Sequence, residues 1–61
     1  MDTVEVEVDA IKHETDDAML VVFEGEEVWV PLSQVDKIVR RKTGTALITM
    51  QTWIATKKGF I

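Results

Sequence analysis

Thr3-Val4-Glu5-Val6-Glu7-Val8-Asp9-Ala10-Ile11-Lys12 reads as a β-strand and sets the fold class of the chain. Val4, Val6, Val8 and Ala10 fall on one side, and Thr3, Glu5, Glu7 and Asp9 on the other. That period of two marks a strand with one face buried. His13-Glu14-Thr15-Asp16-Asp17 is a polar connection, after which Ala18 to Phe23 is continuously apolar and predicts a strand buried on both faces. Glu24-Gly25-Glu26 is a tight turn with Gly25 free to take positive φ. Glu27 to Leu32 returns, setting Val28, Val30 and Leu32 opposite Glu27 and Trp29. Pro31 lacks an amide donor and belongs at a strand end or on an edge.

Ser33-Gln34-Val35-Asp36 matches a short N-cap pattern, a hydroxyl followed three residues later by a carboxylate. It predicts one or two helical turns, α or 3₁₀, carrying Val35, Ile38 and Val39, against their β-branched stiffness. Arg40 to Gly44 is a basic turn and Thr45 to Met50 another strand. Thr52 is placed to cap a last short helix holding Trp53, Ile54 and Ala55. Lys57 and Lys58 complement its dipole, Gly59 takes the left-handed stop, and Phe60 folds back onto the helix. The expectation is one mainly β (α+β) domain over residues 1–61. Its four to five strands form a small twisted antiparallel sheet or a partly open SH3-like or OB-like barrel. It also carries one or two short helices, the last at the C-terminus.

At 61 residues the core is small, burying only about 60% of the surface exposed when unfolded. There is no cysteine, which removes disulfides and thiolate metal sites and fits a reducing compartment. An apolar fraction of 46% fits a folded domain rather than a disordered one. No apolar run approaches the roughly 18–20 residues of a membrane span. The opening Met1-Asp2-Thr3 lacks the basic and hydrophobic regions of a signal peptide, so the cytoplasm is the expected location.

Charge is distributed unevenly. Residues 1–27 hold ten acids against Lys12, a balance of −9, and residues 28–61 hold Asp36 against six bases, a balance of +5. Such asymmetry is a mark of interaction proteins. Glu5, Glu7 and Asp9 project from one strand face at about 6.6–6.8 Å intervals. With Glu14, Asp16, Asp17, Glu24, Glu26 and Glu27 they form a candidate acidic face for a positively charged protein surface, including one that normally holds nucleic acid. The bland alternative is a solvated face that keeps a small sheet soluble. Trp29 shares a pleat face with Glu27 and is the expected exposed aromatic; Trp53 is expected to close the core.

Arg40, Arg41 and Lys42, with Lys57 and Lys58, form the alternative, a basic patch for nucleic acid. A pI of 4.7 opposes it, and the arginines are equally suited to pairing with the acidic half, within the fold or between the subunits of a homodimer. A nucleophile–base pair would need the single His13 and the single Ser33, but Ser33 is already read as a cap. His13, Glu14, Asp16 and Asp17 crowd one loop without metal-site spacing, and there is no glycine-rich phosphate loop. No catalytic residue, metal or cofactor is therefore expected.

Trp29-Val30-Pro31-Leu32-Ser33-Gln34-Val35 resembles a W-x-P-x-S-Q-[IV] segment of small uncharacterised bacteriophage proteins. Trp53-Ile54-Ala55-Thr56-Lys57-Lys58-Gly59 resembles their W-[LI]-A-x-K-K-G ending. The resemblance implies a phage accessory role in the host cytoplasm. Joined to the acidic row, it gives the leading expectation, an inhibitor of a nucleic-acid-handling or defence complex of the anti-CRISPR or DNA-mimic kind; joined to the basic patch, it gives the alternative, an accessory of replication or recombination that touches nucleic acid. Val30-Pro31 with Val35 also resembles the last strand and 3₁₀ turn of SH3 domains. With no tyrosine in the chain, that resemblance implies the fold and not the Pro-rich ligand.

Overall fold

In a computed structural model that describes residues 2–61, the described residues form six strands and one α-helix. The elements are β1 (Thr3–Val8), β2 (Ala10–Glu14), β3 (Ala18–Phe23), β4 (Glu26–Pro31), a 3₁₀ turn (Leu32–Gln34), β5 (Val35–Arg40), β6 (Ala46–Gln51) and α1 (Thr52–Lys58). They make two antiparallel three-stranded sheets, the first in the order β1-β6-β5 and the second in the order β2-β3-β4. The mainly β fold expected from the strand pattern is present. β4 and β5 belong to different sheets although only the 3₁₀ turn separates them, so the sheets do not close into a barrel.

The strand read over residues 3–12 bends at Asp9 and serves both sheets. Val6 pairs with Ile48 and Val8 with Ala46 in the first sheet, while Ala10 pairs with Val22 and Ile11 with Val21 in the second. The bend also changes which residues face inward. Val21 is fully buried, so its partner Ile11 packs against the core where Ala10 was expected, and Ala10 joins the outer row with Val22. An irregularity between Ile11 and His13 then leaves His13 opposite Leu20 and Glu14 opposite Met19.

A second irregularity, between Val35 and Lys37, explains why β5 resembles a helix in sequence. Val35 pairs with Met50 and Ile38 with Ile48, so two core-facing residues stand three apart with one extra residue between them. Spacing of three is also the signature of a helical face. Here the β-branched side chains prevail: the helical stretch is only Leu32–Gln34, and Val35 onward is extended. Ser33 makes no capping bond; its hydroxyl accepts from Gln34 Nε2 at 3.3 Å.

The core lies between the sheets. Val6, Val8, Ala46, Ile48 and Met50 come from the first, Met19, Val21 and Val30 from the second, and Ile54, Ala55 and Phe60 from the C-terminal segment. Burial of each Val, Ile or Met side chain stabilises by roughly 1.5–3 kcal/mol. The apolar run 18–23 is buried on one face only: Met19 and Val21 are inside, while Ala18, Leu20 and Val22 are partly exposed. Glu24 (φ 51) and Gly25 (φ 82) form the two-residue turn to β4, both with the positive φ of a type I′ hairpin. Pro31 ends β4, which is an edge strand.

Thr52 is the first residue of α1 rather than its cap, and its amide donates to the Asp2 carbonyl at 3.0 Å. The helix stops as expected. Gly59 takes φ 84, the Phe60 amide donates to the Ala55 carbonyl at 2.9 Å, and the Phe60 ring meets Phe23 edge-on at 4.9 Å.

Two substitutions test this architecture by urea denaturation. Ser33→Ala is expected to change stability by less than about 0.5 kcal/mol, because no cap is lost; a loss of about 1 kcal/mol would restore the helical reading. Ile48→Ala, on the central strand of the first sheet and fully buried, is expected to cost about 2–5 kcal/mol.

Candidate protein-interaction surface

The structure turns the charge polarity of the sequence halves into a polarity between sheets. Residues 10–34, which hold the second sheet and the 3₁₀ turn, carry Glu14, Asp16, Asp17, Glu24, Glu26 and Glu27 against Lys12, a side-chain balance of −5. Residues 2–9 and 35–61, which hold the first sheet and the helix, carry five acids against six bases, a balance of +1.

Of the acids on β1, Glu7 holds an ion pair with a base of the first-sheet half. Glu7 Oε2 accepts from Arg41 Nη1 at 2.9 Å. Glu5 lies in the row Glu5–Thr49–Lys37, with Lys37 two strands away at about 9–10 Å. Asp9 sits at the corner between sheets, outside the pairing register that holds Glu5 and Glu7. The three carboxylates expected as one strand-face row are thus two on a mixed-charge sheet and one at a bend.

Two further ion pairs engage the second sheet. Arg40 of β5 pairs with Glu14 of β2, joining the two sheets at one end, and Lys12 Nζ donates to Glu27 Oε2 at 2.5 Å across β3. All three pairs join half-exposed side chains, a setting where such a pair contributes about 0–1 kcal/mol. Asp16 and Asp17, in the turn before β3, and Glu24 and Glu26, around the turn after it, make no ion pair among the described residues. They stand at opposite ends of β3, about 20 Å apart at roughly 3.3 Å per residue. The Thr15 hydroxyl shapes the first turn, accepting from the Asp17 and Ala18 amides at 3.3 and 3.0 Å.

The basic residues do not form one free cluster. Arg40 and Arg41 line a groove of about 190 Å³ with Ile11, Gly44, Thr45 and Ala46, but both guanidiniums hold carboxylates there. Lys42 lies beyond them in the hairpin turn, and Lys57 and Lys58 end α1. Among the described residues, no three His, Asp or Glu side chains are placed to hold a metal ion. No described helix is long and apolar enough to cross a membrane.

Both tryptophans are exposed, Trp29 by 46% and Trp53 by 53%. The exposure of Trp29 was expected from its pleat face. Trp53 was expected in the core, but Ile54 and Ala55 take the buried side of α1 and leave it outside. Sequence reasoning missed the neighbours of Trp29. His13, read as a loop residue, lies in β2, and its ring stands edge-on to the indole at 6.3 Å. Leu20 lies between them in register. The signal was present: in an apolar run facing a single core, alternate residues must face away from it.

Arg40→Gln measures the tie between sheets. Urea denaturation at low ionic strength is expected to show a loss of no more than about 1 kcal/mol, shrinking as salt is added. A salt-independent loss well above that would give this pair a structural role that its exposure does not support.

No family model, curated protein or solved structure matches the chain, so the functional reading rests on charge layout and exposed side chains.

Proposed function

We propose that this chain is a non-enzymatic, phage-type interaction protein whose acidic second sheet binds a basic surface on a host protein. The observation that carries the reading is the segregation of charge, −5 on the β2–β4 unit against +1 on the rest. A basic surface that normally binds phosphates accepts spaced carboxylates in their place and releases its counterions in the same way. The protein then acts by occupying the nucleic-acid site of a host handling or defence complex. Asp16, Asp17, Glu24 and Glu26 supply the attraction free of internal pairing. Glu14 and Glu27 exchange weak intramolecular partners for the target, while Glu5 and Glu7, on the mixed-charge first sheet, and Asp9, at the bend, are secondary to them.

The nucleic-acid alternative through Arg40, Arg41, Lys42, Lys57 and Lys58 is the weaker reading, because these bases are split between the end of β5 with its following turn and the end of α1, and the chain as a whole carries a net charge of −4. The test is retention of bacterial lysate proteins by the immobilised chain, read by mass spectrometry across a salt series. Wild type is expected to retain basic nucleic-acid-binding proteins, released as salt rises, and the quadruple variant Asp16→Asn, Asp17→Asn, Glu24→Gln, Glu26→Gln to lose them. Equal retention by the variant would contradict the reading.

A further inference from the structure

The outer face of the second sheet is apolar where an acidic solvated face would be polar. In register across β2, β3 and β4 it presents His13–Leu20–Trp29, with Ala10–Val22–Glu27 on one side and Ala18–Pro31 on the other. Leu20 and Val22 are only partly buried, and neither packs against the core. The helix packs on β1 and β6, which leaves Trp29 at 46% exposure. An exposed aromatic bordering an apolar patch is a feature of interaction surfaces, where tryptophan is among the commonest hot-spot residues.

Charge selects the occupant. Asp16 and Asp17 bound the face at one end of β3, Glu24 and Glu26 at the other, and its one lysine, Lys12, is held by Glu27. A nucleic acid would be repelled. A second copy meeting the first through this same face would bring two −5 surfaces together. A cationic protein segment is attracted from both ends and finds an indole on the edge strand midway between them.

We propose that this face docks an arginine-bearing segment of a basic protein, with a guanidinium stacked on Trp29 and neighbouring basic side chains held by the two acidic turns. The proposal deepens the acidic-sheet reading above and rests on it. Arginine is favoured over lysine because its planar guanidinium stacks on an aromatic face and is more weakly hydrated than an ammonium. Trp53 serves as an internal control, since it is equally exposed but lies on a helix ending in Lys57 and Lys58.

The experiment titrates the full ¹⁵N-labelled chain with oligoarginine and oligolysine peptides of equal length at low salt, following the two indole N–H signals. The Trp29 signal is expected to move and the Trp53 signal to stay. Oligoarginine is expected to bind more tightly than oligolysine, by at most about fivefold, the limit set by a whole cation–π gain of roughly 0.5–1 kcal/mol at an exposed site. Trp29→Ala should bind both peptides equally, and Trp29→Phe should keep part of the preference, with amide signal dispersion reporting that each variant is folded. If both peptides bind equally and the Trp29 signal is still, or if Trp29→Ala keeps the preference, the docking proposal falls and the acidic-sheet reading stands. If neither peptide binds, both fall.

Discussion

The bend at Asp9 is the constraint on which this small fold depends. One chain segment must supply an edge to each sheet, and it does so by turning between Val8, paired with Ala46, and Ala10, paired with Val22. At that corner the inward row passes from Val8 to Ile11, so both halves keep an apolar face toward the same core. Without the transfer, each three-stranded sheet would need its own partner layer, and a chain of this length has none to give.

The same corner divides the electrostatics. Everything between it and the end of the 3₁₀ turn belongs to the second sheet, and that stretch carries a single lysine against six acids. The bases return to the first sheet, where β5 and its following turn bring Arg40 and Arg41 to Glu14 and Glu7. Topology therefore sets β1, the strand with the most conspicuous acidic row, in a sheet of mixed charge where Glu7 is paired, and leaves the less regular acids of the turns at 15–17 and 24–26 without an ion pair among the described residues. What remains is a surface charged at its two ends, with an apolar middle and an exposed indole on its edge strand.

Much of the fold was legible because it depends on local rules: the alternation of Val4, Val6 and Val8, the Glu24-Gly25 turn, Pro31 at a strand end, and Gly59 with Phe60 closing the helix. What escaped depends on register. The extra residue between Val35 and Ile38 gave a strand the spacing of a helix, and no local signal separates the two until Met50 and Ile48 are known as partners. The candidate surface was half legible. The acids and Trp29 could be named, but their grouping required knowing which strands share a sheet. His13 and Leu20 joined Trp29 only through cross-strand pairing. Trp53 was misplaced because a short helix has one buried side, which Ile54 and Ala55 occupy.

With −5 on the β2–β4 unit and +1 on the rest, negative potential is concentrated on the second sheet and balanced on the first. Paramagnetic relaxation by freely diffusing cationic and anionic nitroxides reads that potential amide by amide. The largest excess of cationic over anionic enhancement is expected at the 15–17 and 24–26 turns and along β2 to β4, with near-equal enhancement along β1 and the 41–45 turn. A maximum along β1 at Glu5 and Glu7 would contradict it.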